Sequence, residues 1–175
     1  MISLEFKPNT NAEINSNEIK ISGNLGTNTR KFNDTFLDIK IEGNKFIIDS
    51  KKGIKKMKKK ANKIVQTMAE ELTNDMEGVN KYYEIEMEII YAHFPITVEA
   101  SKDTFYIKNM IGERAKRSTK IINNTKVEAA GQKIKIYGIN KDDVTQTAAN
   151  IRKICKIKYK DSRVFQDGIY YTQEI

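Results

Sequence analysis

The chain has 175 residues, of which 39% are hydrophobic and 31% charged, and its net charge is +8 at pH 7. This length suits one ordinary domain or two small ones, and the apolar content excludes a wholly disordered chain. The single cysteine excludes an intrachain disulfide framework. Because we find neither a run of ~20 apolar residues nor a signal-peptide layout, we expect a soluble, cytoplasmic protein without a membrane partner. The basic balance favours a polyanionic partner.

The charge is unevenly distributed along the chain. Residues 19–63 carry 13 basic and 4 acidic side chains, residues 64–95 carry one lysine against seven acids, and the basic excess returns after residue 95. An acidic belt thus separates two basic regions. Such segregation is typical of a protein that lies on phosphate with one side turned away. The alternative is that the lysine runs are only solvated helix faces.

Alternation of polar and apolar residues predicts three strands before residue 50. They are residues 18–22, 36–42 and 45–48, with turns at Gly23–Gly26 and at Gly43-Asn44. The first turn has the G-x-x-G spacing that KH domains use to clamp a nucleic-acid backbone. In KH domains that motif joins two helices, whereas here it joins two strand-like runs. We therefore interpret it as a turn.

A change of period then predicts a helix. From Ile54 to about Met76, apolar residues recur every three or four positions, and Gly78 is the natural stop. The dense lysine run of residues 55–60 surrounds the apolar stripe at the start of this helix. It is interpreted either as a set of phosphate contacts or as a solvated face. Strict alternation over residues 83–89 predicts a strand with glutamates on one solvated face.

The same plan begins again after Pro95. Strand-like runs at 96–100 and 104–108 flank a turn, and a second helix follows, capped at Asn140 or at Lys141-Asp142. Three short segments repeat earlier ones at an offset of 86 to 88 residues: 110–112 matches 24–26, 125–128 matches 39–42, and 131–134 matches 43–46.

We therefore predict an α+β fold built from two tandem copies of a small antiparallel sheet packed on one helix, with a basic C-terminal tail. The predicted domains are residues 1–94 and 95–175. Each half should fold alone, including a fragment of residues 96–175, because each carries its own sheet and helix.

The chain offers no recognisable catalytic or metal-binding constellation. His93 and Cys155 occur once each, and two lone ligands fall short of the three or four that a metal site needs. Cys155 falls on the apolar face of the second helix, so we expect it to be buried, and we expect His93 to pack or to hydrogen-bond. We expect neither enzymatic activity nor a cofactor or metal. An enzyme with an acidic substrate is the more distant alternative.

Two segments combine basic and aromatic residues in a way that suits RNA. Lys156, Lys158 and Lys160 alternate, which would place them on one side of an extended segment. Arg163 supplies a planar fork for phosphate or guanine edges, and Tyr159 and Phe165 are suited to stack on bases or to pack. A basic loop, residues 112–120, precedes this tail. The mixture favours shape-based RNA binding.

Three segments resemble the large-subunit ribosomal protein L-six family in its archaeal and eukaryotic branch. They are residues 163–170 (RVFQDGIY), 143–151 (DVTQTAANI) and 91–95 (YAHFP), and the likeness extends over essentially the whole chain. The sequence departs from the family pattern at Thr145, where glycine is more frequent, at Ser118, and in the density of the lysine run.

The resemblance implies a structural component of the large ribosomal subunit that binds large-subunit rRNA, chiefly through its second domain. It implies a position beside the sarcin–ricin region and the stalk base, among neighbouring ribosomal proteins, where translational GTPases dock. Residues 112–120 and 156–163 are the matching positions for RNA contact, and residues 164–170 are the cap that orders the tail. The alternative is a free-standing RNA-binding regulator outside the ribosome. The candidate RNA-binding residues are Arg114, Lys116, Arg117, Lys120, Lys156, Lys158, Tyr159, Lys160, Arg163, Phe165 and Gln166.

Overall fold

The chain divides into two compact units, Met1–Tyr82 and Tyr83–Ile175. The computed structural model describes residues 2–33, 37–50, 58–161 and 163–173, without the side chains of residues 58–60 and 173. Each unit combines two small antiparallel sheets with one long helix. The predicted α+β class is confirmed. Each unit contains two sheets where one was predicted, because its first strand pairs with its last and leaves the three strands between them to form a sheet of their own.

The first unit places two three-stranded sheets against one helix. One sheet has the order β1 (Ile2–Glu5), β6 (Lys45–Ser50), β5 (Leu37–Glu42), and the other has β2 (Asn11–Asn15), β3 (Glu18–Gly23), β4 (Gly26–Lys31). Helix α1 (Lys58–Gly78) contacts β1, β3 and β6. Its end confirms the predicted stop. Residues 54–57 of the predicted helix lie outside the described residues. The buried core includes Ile19, Ile21, Ile39, Phe46, Ile48, Val65, Met68, Leu72 and Met76.

The second unit repeats this arrangement and adds one strand. Its three-stranded sheet consists of β8 (Thr97–Ala100), β9 (Thr104–Lys108) and β10 (Arg117–Lys120). Its four-stranded sheet has the order β11 (Lys126–Ala130), β12 (Lys133–Gly138), β7 (Tyr83–Ile90), β13 (Gly168–Gln173). Helix α2 (Lys141–Ile154) contacts β7, β10, β12 and β13. The core is formed by Ile85, Met87, Phe105, Ile107, Ile134, Ile136, Val144, Ala148, Ile151 and Ile169.

The two units share one strand plan, in agreement with the repeats in the sequence. The order β1-β6-β5 corresponds to β7-β12-β11, and the order β2-β3-β4 corresponds to β8-β9-β10. Gly43 and Gly131 occupy the turns of equivalent hairpins with φ of +59° and +62°, where glycine carries no steric penalty. Strand β13 follows the second helix and has no counterpart among the described residues of the first unit.

The division between the units falls earlier than the predicted boundary between residues 94 and 95. The reason is the pairing of β7. Ile85 of β7 lies opposite Ile136 of β12, and Ile89 lies opposite Ile169 of β13, so β7 is a central strand of the second unit. Alternation identifies a strand from local sequence, but the partners of that strand depend on residues far along the chain.

A buried ion pair joins β4 to α1 in the first unit. The side chain of Asp75 is only 2% exposed, and its carboxylate lies 2.5 Å from Nε and 2.9 Å from Nη2 of Arg30. Asn28 Nδ2 donates a third bond at 2.7 Å, and Arg30 also lies 3.1 Å from Glu71. Two parallel bonds from a guanidinium, with a further amide donor, compensate the carboxylate for its loss of water.

We expect Asp75→Ala to lower the free energy of unfolding by about 2–4 kcal/mol, because Arg30 and Asn28 lose their buried acceptor. Glu71→Ala is the matched control: it removes a more exposed carboxylate from the same arginine and should cost less than about 1 kcal/mol. Urea denaturation of the full-length variants, followed by circular dichroism, measures both. Equal losses of stability would show that burial of Asp75 contributes nothing special.

The pairing of β7 also reverses the expectation for isolated fragments. A fragment of residues 83–175 should fold alone, whereas residues 96–175 should not, because they lack the strand between β12 and β13. Amide hydrogen exchange measured on both fragments distinguishes them. Strong protection in the shorter fragment would contradict the central role of β7.

Candidate nucleic-acid interface

The glutamates of β7 lie on a charge-balanced sheet face. Glu86 and Glu88 stand opposite Lys135 and Lys133 of β12, and Lys135 Nζ lies 2.9 Å from Glu84. This hydrogen bond from Lys135 to Glu84 raises the pKa of the lysine above its ordinary value. Acids and bases therefore neutralise one another across the strands. Within the described ranges, no group of three or more histidine, cysteine, aspartate or glutamate side chains is placed to hold a metal ion.

The lone cysteine and histidine both serve packing. Cys155 is 4% exposed, and its thiol donates to the carbonyl of Ile151 at 3.1 Å. Burial raises the pKa of the Cys155 thiol to about 12, so almost none of it is the nucleophilic thiolate at neutral pH. The His93 ring lies 5.5 Å from the Phe165 ring, centroid to centroid, and its Nδ1 lies 3.8 Å from Asp167.

The Gly23–Gly26 turn packs against the end of α1. A Cβ on Gly23 would lie 2.7 Å from Cγ2 of Val79, and the backbone N–H of Leu25 donates to the Val79 carbonyl at 2.9 Å. The first glycine is therefore required by the close approach of two backbones. A turn that joins β3 to β4 and packs on a helix end explains the G-x-x-G spacing without a nucleic-acid contact.

The basic tail, residues 156–167, is a folded loop between α2 and β13. Residues 158–160 form a bend, so the alternating lysines do not follow one side of an extended segment as predicted. The physical reason is a turn at Asp161, whose carbonyl accepts from Phe165 N–H at 2.9 Å and whose Oδ1 accepts from Arg163 N–H at 2.9 Å. Short polar side chains that bond the following backbone favour turns over extended chain.

The predicted contact residues of the tail are nevertheless at the surface. Lys156, Lys158, Lys160, Arg163 and Gln166 are exposed, and Tyr159 is 95% exposed. An aromatic ring so open to water is available for stacking on a base. Phe165 is half-buried, with Lys160 Nζ 4.4 Å from its ring centroid. It therefore supports the loop and holds a lysine.

The basic loop of residues 112–120 contains one structural arginine. Arg117 Nη1 donates to the Ile154 carbonyl at 2.6 Å, while its Nε and Nη2 pair with Glu113 at 2.7 Å and 2.5 Å. The hydrogen bonds between the two groups raise the pKa of Arg117 and lower that of Glu113. Arg117 thus caps the carboxyl end of α2, where a cation is favourable. The other predicted residues of the loop, Arg114, Lys116 and Lys120, are exposed.

Asp167 is a site residue that sequence reasoning missed. Its side chain is 1% exposed, and its Oδ1 accepts the backbone N–H of Ala92 at 2.9 Å. The other oxygen, Oδ2, has no hydrogen-bond partner among the described residues. Asp167 lines a groove of about 500 Å³ beside the tail. No local signal separates this aspartate from a surface acid in a turn, because its burial depends on the docking of β13.

These features define a class: a duplicated, basic α+β protein whose second unit presents exposed cations on a loop and a tail. None of the described helices is long and apolar enough to cross a membrane.

Comparison with known proteins identifies the family. The sequence model of the family described as Ribosomal protein L6 matches residues 94–168. The Large ribosomal subunit protein uL6 of Methanocella arvoryzae is 38% identical over 172 residues, which cover 98% of this chain and 95% of the relative. Its counterpart in Methanobrevibacter smithii is 38% identical over 167 residues, covering 95% and 92%. The chain therefore belongs to this ribosomal protein family, and the resemblance found in the sequence is confirmed.

We expect Arg117→Ala to destabilise the fold by about 1–3 kcal/mol, because the carbonyl of Ile154 and the carboxylate of Glu113 lose a charged donor. The matched control is Arg114→Ala, which removes an exposed arginine from the same loop and should change stability by less than about 0.5 kcal/mol. Urea denaturation without RNA measures both variants. If the two behaved alike, the capping role of Arg117 would be refuted.

Proposed function

We propose that the protein is a non-enzymatic, structural constituent of the large ribosomal subunit that binds large-subunit rRNA and contacts neighbouring ribosomal proteins. The observation that carries the proposal is the likeness over 95% or more of the chain to relatives named large ribosomal subunit proteins. Its place of action is accordingly the ribosome in the cytoplasm. The cations of the second unit supply groups that neutralise phosphate, which dominates the affinity of proteins for nucleic acids.

The loop and the tail supply one connected surface for this contact. Arg117 joins them, because its guanidinium starts from the loop and donates to the carbonyls of Ile154 and Lys156 at the root of the tail. Exposed cations on both segments are suited to phosphates of folded RNA, and Tyr159 is suited to an unstacked base. Such a surface reads shape more than sequence, as is usual for proteins that bind structured RNA.

We further infer a position beside the sarcin–ricin region and the stalk base, where the protein would support the docking of translational GTPases. The support is the resemblance of residues 91–95, 143–151 and 163–170 to the family. In this role the second unit acts as a rigid support, since both ends of the tail are held by the fold, at α2 and at β13.

Co-sedimentation tests the proposed assembly. Tagged full-length protein should move with large subunits through a high-salt sucrose cushion, because many phosphate contacts and protein contacts act together. A free-standing regulator would stay near the top of the gradient, bound to free RNA or unbound. That distribution would refute the ribosomal role.

The salt dependence of RNA binding tests the surface. Replacing Lys156, Lys158, Lys160 and Arg163 together by alanine should reduce the slope of log K against log salt by about 0.7–0.9 for each phosphate that is no longer neutralised. Lys158→Ala alone should weaken binding to rRNA fragments of different sequence alike, because an ammonium group contacts phosphate and not bases. Arg163→Lys should cost affinity although the charge is kept, because the planar guanidinium can contact two oxygens and the ammonium cannot.

Lys63→Ala is the control for these titrations, since Lys63 is an exposed lysine of α1 in the first unit. Its slope should match that of the unchanged protein. An unchanged slope after removal of all four tail cations would move the RNA surface elsewhere, with the lysine run of residues 55–60 as the first candidate.

A further inference from the structure

The groove beside the tail combines three kinds of chemistry. Exposed cations line it at Arg152, Lys156 and Lys160, and aromatic rings line it at Phe165 and Tyr170. The buried carboxylate of Asp167 also lines this groove, whose volume is about 500 Å³. That volume falls in the range of about 300–1,000 Å³ typical of small-ligand sites. The groove is thus large enough for one nucleotide.

The unpartnered oxygen of Asp167 is the observation that points to a ligand. Buried carboxylate oxygens are almost always hydrogen-bonded, since an unpaired one loses water without compensation. Oδ1 receives the Ala92 N–H at 2.9 Å, while Oδ2 has no partner in the described part of the chain. Nδ1 of His93 lies 3.8 Å from Oδ1, too far for a hydrogen bond. A ligand that donates N–H groups would satisfy this site.

We propose that this groove binds the guanine base of an unpaired nucleotide in RNA. Guanine carries two adjacent N–H donors, at N1 and N2, which match a carboxylate acceptor, and its O6 and phosphate are acceptors for the surrounding cations. Adenine and cytosine place a ring acceptor beside their amino group, and uracil flanks its N–H with two carbonyls. Each of these would bring an acceptor against the carboxylate. The inference rests on the proposed RNA-binding function and assigns base specificity to it.

The geometry of the tail supports this occupant. Lys160 Nζ lies 4.4 Å from the Phe165 centroid, and Arg152 lies 5.4 Å from the Tyr171 ring, so both cations are held by aromatic neighbours near the groove. Cations fixed in this way lose little freedom when they meet an anion. Because the RNA strand that carries the base continues past the groove, its neighbouring phosphates would reach the exposed lysines of the tail.

Competition binding with short RNA tests the proposal. Single-stranded pentanucleotides with a central guanine, adenine or hypoxanthine between uridines are titrated against the full-length protein. The guanine oligonucleotide should bind about tenfold or more tightly than the adenine one, since a good two-point base contact discriminates at that level. Hypoxanthine, which lacks the N2 amino group, should fall between them. Equal binding of all three would overturn the guanine site while leaving the proposed RNA-binding function in place.

Asp167→Asn is the decisive variant. It keeps an oxygen for the Ala92 N–H but places a donor where Oδ2 stands, so the preference for guanine should disappear. Asp161→Asn is the matched control: it makes the same charge change on an exposed acid of the same tail and should keep the preference. A guanine preference that survives in Asp167→Asn would refute the proposal.

A measurement on the unchanged protein covers the case in which Asp167→Asn fails to fold. Guanosine monophosphate, but not adenosine monophosphate, should shift the amide resonances of Gly168 and Ile169, which line the groove beside Asp167. Identical shifts with both nucleotides would indicate phosphate binding alone and would overturn the guanine site. Absence of any RNA binding would refute the proposed function together with it.

Discussion

The pairing of β7 on both of its edges is the constraint on which the second unit depends. β7 receives β12 on one side and β13 on the other, both antiparallel, and its Ile85, Met87 and Ile89 face the core. Because β12 precedes α2 and β13 follows it, β7 joins the two ends of the unit in one sheet. Removing β7 would therefore separate the tail from its scaffold as well as open the core.

The number of cations does not measure the number of cations free to bind a polyanion. Part of the segregation of charge along the sequence has an internal reason, because acids of the belt pair with bases far away in the chain. Asp75 holds Arg30 within the first unit, and Glu84 holds Lys135 within the second. Arg117 is held by Glu113 and by the end of α2. Exposed cations outside such pairs, on the loop and the tail, are the ones suited to phosphate.

Features that depend on neighbouring residues could be predicted from the sequence, whereas those that depend on long-range contacts could not. The Asn140 cap is local, since its side chain accepts from the Asp142 N–H at 2.9 Å, as is typical of helix starts. The alternation of β7 predicts a strand but no partner, so the predicted boundary falls later than the division between the units. The alternating lysines predict an extended tail, but the loop turns at Asp161 before it reaches β13. Neither the capping role of Arg117 nor the burial of Asp167 has a local signature, since each depends on an element distant in sequence.

The added strand explains why the candidate interface belongs to the second unit. In the first unit β1 is at the edge of its sheet among the described strands, whereas its counterpart β7 is covered by β13. To reach that far edge from the end of α2, the chain must cross the surface, and a crossing without ladder hydrogen bonds stays open to solvent. Its two ends are nevertheless held, by Arg117 at α2 and by β13 on β7. A loop fixed at both ends can carry exposed cations and an open tyrosine in defined positions, which is the arrangement that recognition of folded RNA requires.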